Sequence, residues 1–370
     1  MTDLTGLLDD HVARGTAPWI IVADGTADGR LDITTAGDVA DDAIVRIQSM
    51  TKAVTAVAAL RLVADGRLGL DDPVERWLPE LADRRVLRTP ISPLTDTEPA
   101  NAPITVRHLL TNTSGYGMVA TPSPLKDAMI ANRTEASQEA VALGAQDWLN
   151  ALAELPLAFN PGQGWRYHHS FGILGILLSR LTGGPLEAHL TTDVFEPVGM
   201  VDTRFTVPAQ DADRLPAAYG RDGDGTRYEI EPRAGGFYVS PAPFDVSHAE
   251  LVSTARDYAA FARMLAAGGR IDGRSFVSPE LLAELRTDRI PDALKTPDSF
   301  FPGFWDGLGW GYGVAVVTAG EHAGRFGWSG GLGTDFFIDP DGTFRIVLTQ
   351  MEMGPAVMAL FDDLQGSPGR

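Results

Sequence analysis

Ser49 and Lys52 are the residues of this chain whose types and spacing could do chemistry together. Three positions apart on a helix, two side chains return to the same face, so the lysine amine can reach the serine hydroxyl. A serine at a helix N-terminus sits where backbone N–H groups favour developing negative charge. The segment that follows, Ala53-Val54-Thr55-Ala56-Val57-Ala58-Ala59-Leu60, is apolar almost all round and reads as a buried helix. A lysine at its head is partly desolvated, and complete burial lowers a lysine pKa by up to ~3–5 units. A neutral amine beside a serine is a base beside a nucleophile. The plain alternative is that Ser49 caps the helix and Lys52 projects into solvent. Against it, only Lys52, Lys126 and Lys295 of the 30 basic residues are lysines, so chance would supply far fewer than one such pair.

The elements that must position this pair can be read around it. Trp19–Ala23, Leu31–Ala36 and Ile44–Ile47 read as short strands, with a turn at Ala27-Asp28-Gly29. A helix is predicted from about Met50 to Ala64, ended by Asp65-Gly66, and a short one from Leu70-Asp71-Asp72-Pro73. The middle of the chain is helical and rich in loops, with helices expected over Thr105–Leu110, Gln138–Leu155, Phe171–Leu181 and Leu251–Ala267. Strand character returns at Tyr312–Val317, Gly324–Trp328, Thr334–Ile338 and Phe344–Gln350, with Asp339-Pro340-Asp341-Gly342 as a hairpin signal. The fold class expected is α/β (α+β): one antiparallel sheet built from both termini and flanked by helices, with an inserted, mainly helical lobe. The sheet domain would be discontinuous, 1–80 with 250–370, and 81–249 would form the lobe. A cleft between them is where a site is expected.

Composition narrows the chemistry further. The net charge is −19, which disfavours binding to nucleic-acid phosphates and to anionic membranes. Without cysteine there is no disulfide scaffold, thiol nucleophile or thiolate metal site. No His-Glu-x-x-His spacing and no phosphate-binding glycine loop with Lys-Ser or Lys-Thr is present, so no metal and no cofactor are expected. The first residues, to Gly15, include Asp3, Asp9 and Asp10 and lack a basic leader or an apolar stretch of signal-peptide length. The expectation is a cytoplasmic protein. Nothing in the residue types assigns an oligomeric state.

Several motifs in order carry a family resemblance. Ser49-x-x-Lys52 resembles the nucleophile motif of the serine β-lactamase and penicillin-binding-protein superfamily. The stretch from Ile47 through Leu70 to Asp72-Pro73-Val74 is similar to the class C β-lactamase and family VIII carboxylesterase branch. So are Ile104-Thr105-Val106-Arg107-His108-Leu109-Leu110 running into Thr113-Ser114-Gly115, and Pro161-Gly162 with Trp165 and Tyr167. Leu251-Val252-Ser253-Thr254-Ala255 with Asp257-Tyr258, and Gly327-Trp328-Ser329-Gly330-Gly331, complete the series. The resemblance implies that Tyr167 shares proton transfer with Lys52, where a nearby cation would favour its phenolate. It implies an oxyanion hole from the N–H groups of Ser49 and Gly331, and substrate contacts at Trp328, Ser329, Gly330, His169 and Tyr116.

The departures from that pattern bear on the substrate. His168 and His169 follow Tyr167 where the family has a small residue and often an asparagine that binds the β-lactam amide. Trp328 stands where β-lactamases carry the Lys or His that recognises the substrate carboxylate, an arrangement similar to family VIII esterases. Arg325, earlier on the same strand, is the one candidate to compensate. Ser247-His248-Ala249-Glu250 replaces a glycine-rich approach to the Leu251 helix. Two readings stand there: His248 or Glu250 turned towards the cleft to shape substrate choice, or a solvated helix start, which is preferred since an acid is favoured at that position. Gly327-Trp328-Ser329-Gly330-Gly331 also fits the Gly-x-Ser-x-Gly nucleophile elbow, but its flanks read as strand and strand, and no histidine follows His322.

The expected activity is therefore hydrolysis of small-molecule carboxylic esters through an acyl-enzyme on Ser49. The rivals are a β-lactamase or D-amino-acid peptidase or amidase, an acyltransferase using the same residues, and, ranked last, a non-catalytic binding protein.

Overall fold

The computed structural model describes residues 4–136, 141–297 and 299–365. Its centre is a seven-stranded sheet: β1 Trp19–Thr26, β2 Leu31–Gly37, β3 Leu308–Trp310, β4 Ala315–Val317, β5 Phe326–Gly330, β6 Thr334–Ile338 and β7 Thr343–Leu348. The spatial order is β3-β4-β5-β6-β7-β1-β2, and every neighbouring pair is antiparallel. The sheet is assembled from both ends of the chain, joined where β1 pairs with β7, with Ile21 opposite Leu348.

Apolar residues run unbroken through Trp19-Ile20-Ile21-Val22-Ala23 because both faces of β1 are covered. Alternation sends Ile20 and Val22 to a core shared with Leu8 of α1 (Leu4–Ala13) and Leu360 and Phe361 of the C-terminal helix (Pro355–Gln365). Ile21 and Ala23 face the main core with α2 (Thr51–Ala64), α3 (His169–Thr182) and α4 (Ala255–Ala266). We call the C-terminal helix α5. Nearly every residue of α2 is buried, as its all-round apolar sequence requires. No helix among the described residues is long and apolar enough to cross a membrane.

Four local expectations change. The segment Ile44–Ile47 does not join the sheet; only Val45–Arg46 is a strand, and it pairs with Val252–Ser253. The buried Arg46 side chain explains this, since it donates to Gln350 Oε1 and to the carbonyls of Pro216 and Pro232. No α-helix forms at Leu70–Pro73, where a turn leads into a 3-10 turn at Val74–Arg76. Tyr312–Val317 is a strand only over Ala315–Val317, and its partner β3 had no clear sequence signal. Of the helix expected over Gln138–Leu155, Ala145–Ala153 is helical, and residues 138–140 lie outside the described residues.

Candidate active site

Ser49 sits in a 3-10 turn, Gln48–Met50, between the short strand at Val45–Arg46 and α2. The turn is tight: Gln48 has φ of 51°, a left-handed value that non-glycine residues rarely adopt. Neighbours on three sides hold it. Thr334 Oγ1 of β6 donates to Ile47 O at 2.9 Å, Tyr258 Oη of α4 donates to Met50 O at 3.0 Å, and Gln48 Nε2 donates to Tyr238 Oη at 3.0 Å.

In the first turn of α2, Lys52 is fully buried. Its Nζ donates to Ser49 Oγ at 3.0 Å and to His248 O at 2.5 Å. Burial drives its pKa well below the ordinary lysine value, and the nearby negative charge of Glu250 opposes that shift. The amine also lies 4.3 Å from the centre of the Tyr167 ring.

Tyr167 is placed by its backbone, whose carbonyl accepts from Met118 N at 2.9 Å, and by Trp328, whose Nε1 donates to Tyr167 Oη at 2.6 Å. Its hydroxyl also bonds Ser49. Burial raises its pKa above the ordinary phenol value, more than these bonds lower it. The phenolate expected from a neighbouring cation is therefore not the favoured form; Tyr167 is held as a phenol. His168, the next residue, has φ of 93° and is the N-cap of α3, a strained backbone position directly beside Tyr167.

Strand β5 supplies the third wall. Trp328 faces Tyr167, and the pairing of Trp328 with Phe336 and Ser329 with Asp335 puts Ser329 on the opposite face. Its hydroxyl donates to Asp335 Oδ1 at 2.6 Å, beside Gln365 of α5. Gly330 lies against the Ser49 turn: a Cβ there would come 2.5 Å from Ile47 O and 2.8 Å from Gln48 Cβ. Together these elements surround a cavity of about 1130 Å³. Ser49, Tyr167, His168, His169, Trp328, Gly330 and Gly331 line it, with Phe300, Phe301 and Phe304 on the aromatic side.

Some expected site residues lie elsewhere or are otherwise engaged. Tyr116 packs in the main core rather than on the cavity wall; burial pushes its hydroxyl up to about 12, and the oxygen has no hydrogen-bond partner. The Ser329 hydroxyl is turned to Asp335, as above. His169 lines the cavity, but its Nε2 is 2.6 Å from Thr134 O and its ring stacks on Trp148, and burial pushes it down to about 4. Arg325 cannot serve a substrate carboxylate, since its guanidinium pairs with Asp339 at 2.7 and 2.9 Å.

His248 and Glu250 correct the sequence reading in the other direction. They are buried at 3% and 8% exposure and line the cavity, so this segment is no solvated helix start. An acid before a helix is ordinary, and residue type alone gave no signal that this one is enclosed. Phe300, Phe301 and Phe304 were missed for a similar reason: their loop carries no motif. Among the described residues, no three His, Asp or Glu side chains converge in a way that could hold a metal ion.

Comparison with known proteins adds independent findings. A family model described as Beta-lactamase matches residues 4–365. The chain is 37% identical over 324 residues to Protein Rv1367c of Mycobacterium tuberculosis, covering 84% of this chain and 78% of that protein. It is 32% identical over 364 residues to Esterase EstB of Burkholderia gladioli, covering 91% and 86%. Among solved structures, EstCE1, titled a hydrolase with promiscuous acyltransferase activity, superposes with a TM-score of 0.76 at 25% identity, covering 94% of this chain and 92% of the other.

Proposed function

The chain belongs to the beta-lactamase family and is a carboxylesterase-like serine hydrolase, and we propose that it cleaves uncharged, apolar carboxylic esters with Ser49 as nucleophile. The observation that carries this reading is the 3.0 Å contact between a fully buried Lys52 Nζ and Ser49 Oγ. Desolvation favours the neutral amine, and a neutral amine at that distance accepts the serine proton as Oγ attacks the ester carbonyl. The N–H groups of Ser49 and Gly331 take up the charge on the carbonyl oxygen. Tyr167, held as a phenol and bonded to Ser49, donates its proton to the departing alcohol oxygen and is reprotonated from Lys52. The acyl group then rests on Ser49. Water attacks it, giving one proton to Lys52 through Tyr167 and returning it to Ser49 Oγ as the acid leaves.

The cavity supports an apolar ester. Trp328, Phe300 and Phe304 wall one side, and Arg325, just before β5, is already paired with Asp339. That arrangement disfavours the carboxylate of a β-lactam. The similarity to an esterase supports an ester as the substrate. The reading places the site between a sheet domain of 1–80 with 250–370 and a helical lobe of 81–249. It places the protein in the cytoplasm, where a chain without cysteine is unaffected by reducing conditions.

A second reading, acyl transfer to an organic alcohol, uses the same residues. The similarity to EstCE1, described as a hydrolase with promiscuous acyltransferase activity, is the observation that favours it. The test is Ser49→Ala. It should abolish turnover of short p-nitrophenyl esters while circular dichroism stays unchanged, and undiminished activity would overturn the assignment. Product analysis with added alcohols separates hydrolysis from transfer.

A further inference from the structure

The segment from Ser247 to Leu251 is fastened to α2 at three points. Thr55 Oγ1 donates to Ser247 O at 3.1 Å, Lys52 Nζ donates to His248 O at 2.5 Å, and Leu251 N donates to Thr51 Oγ1 at 3.2 Å. From the other side, Ser247 Oγ donates to Phe171 O of α3 at 2.6 Å. The segment can come this close because α3 has Gly175 there; a Cβ at that position would lie 2.0 Å from Ser247 Oγ. Glu250 is thereby fixed on the cavity wall, two residues beyond the carbonyl that holds Lys52. Its carboxylate accepts from Ala249 N at 2.8 Å and lies 3.4 Å from His248 Nε2. Among the described residues, no arginine or lysine forms an ion pair with it.

We propose that Glu250 is a positioning residue that sets the charge on Lys52, and thereby the pH at which Ser49 becomes nucleophilic. The inference rests on the reading of Ser49 and Lys52 given above. A carboxylate near a buried ammonium stabilises the protonated amine, which cannot act as a base. Burial acts in the opposite sense and is the larger effect on Lys52. Glu250 then sets how far burial is allowed to go.

The other titratable groups around the pair do not supply this charge. From the start of α3, His168 and His169 face Lys52, and burial holds both in the neutral form at neutral pH. Tyr167 faces it as a phenol. On the Glu250 side stands Tyr238, whose hydroxyl accepts from Gln48 and whose pKa burial raises. Behind Tyr238 are Glu231 and Arg46, and Arg46 is committed to Gln350 and to two proline carbonyls. The His248 ring lies on the same wall, 3.9 Å from His168 between ring centres. Among these groups, Glu250 is the carboxylate whose charge acts on Lys52.

The experiment measures the rate of Ser49 labelling by a fluorophosphonate, and kcat/KM for a neutral p-nitrophenyl ester, against pH in wild type, Glu250→Gln and Glu250→Asp. Removing the carboxylate lets the ammonium deprotonate more easily, so the acid limb in Glu250→Gln moves to lower pH by about one unit. KM for the neutral ester stays near the wild-type value, and Glu250→Asp, which keeps the charge, retains the wild-type limb. Where the amide variant does not fold, Glu250→Ala reads the same shift. An unmoved limb overturns the inference, as does an equal shift in Glu250→Asp and Glu250→Gln, or a change confined to KM. Absence of labelling at Ser49 in the wild-type protein removes the underlying reading instead, and that outcome is distinct from the others.

Discussion

At the scale of single residues, the proposed mechanism rests on separating two proton affinities that are close together in water. Lysine and tyrosine ordinarily titrate near one another. Here burial lowers the ammonium and raises the phenol, leaving a neutral amine to take a proton and a phenol with one to give. Trp328 adjusts the second of these, because its Nε1 donates to the phenol oxygen and stabilises the charge that appears when the proton leaves. Trp328→Phe keeps most of the apolar wall and removes that donor. Losing one such bond costs about 1 kcal/mol, so kcat/KM for a p-nitrophenyl ester should fall about 5- to 10-fold. An unchanged rate in that variant would show that the indole only packs. The nearness of Lys52 to Ser49 was legible in their spacing and in the scarcity of lysine, whereas Tyr167 was singled out by the family resemblance, its Pro-Gly turn alone pointing to a core tyrosine. Tyr116 was misread because it follows a matching motif, and nearness in sequence does not fix where a side chain points. Glu250 was misread because enclosure depends on a contact with α2 some 200 residues away, the Leu251–Thr51 bond.

Elements bring these residues together through close approach. The proposed oxyanion hole requires strand β5 to lie directly against the Ser49 turn, so that Gly331 and Ser49 can reach the same carbonyl oxygen. Gly330 permits this, since any Cβ there meets Thr334 Oγ1 at 2.3 Å as well as the Ile47 carbonyl at 2.5 Å. The Ile47 oxygen is backbone and cannot rotate aside. Gly330→Ala should therefore push β5 off the turn, destabilising the fold by about 1–3 kcal/mol and lowering esterase activity at least tenfold. Urea unfolding and ester turnover measure the two effects; a variant with full stability and full rate would show the strand is free to move. The strands β1, β2, β6 and β7 were readable because their apolar runs are bounded by clear turns. The short pairing of Val45–Arg46 with Val252–Ser253 was not, because a buried arginine ties it to residues remote in sequence. Local pattern carries no information on such partners.

For the whole molecule, the back of the active-site sheet carries a cost in stability. Asp335 is buried between Ser329 of β5 and Gln365 of α5, each donating to it at 2.6 Å, and burial pushes its carboxyl up to about 6. In the unfolded chain the same group titrates near 3.8. Between those values the native state binds the proton and the unfolded state does not, so this group's contribution to stability falls as pH rises from about 4 to about 6. About two pH units of difference correspond to roughly 3 kcal/mol at neutral pH. Asp335→Asn removes the titration and keeps an oxygen to accept from Ser329. The variant should match wild type near pH 4 and become more stable than it by pH 7, the gap opening across that window. Chemical denaturation of both proteins at several pH values reads the gap directly, and a difference that does not change with pH would rule out a buried charge as its source. Wild-type and variant esterase rates, compared in the same range, test whether the charge also serves catalysis. Ser329 and Asp335 also line the cavity, so equal rates across this range would confine the charge to the fold, and a gap in rate that opens with the gap in stability would give it a part in catalysis.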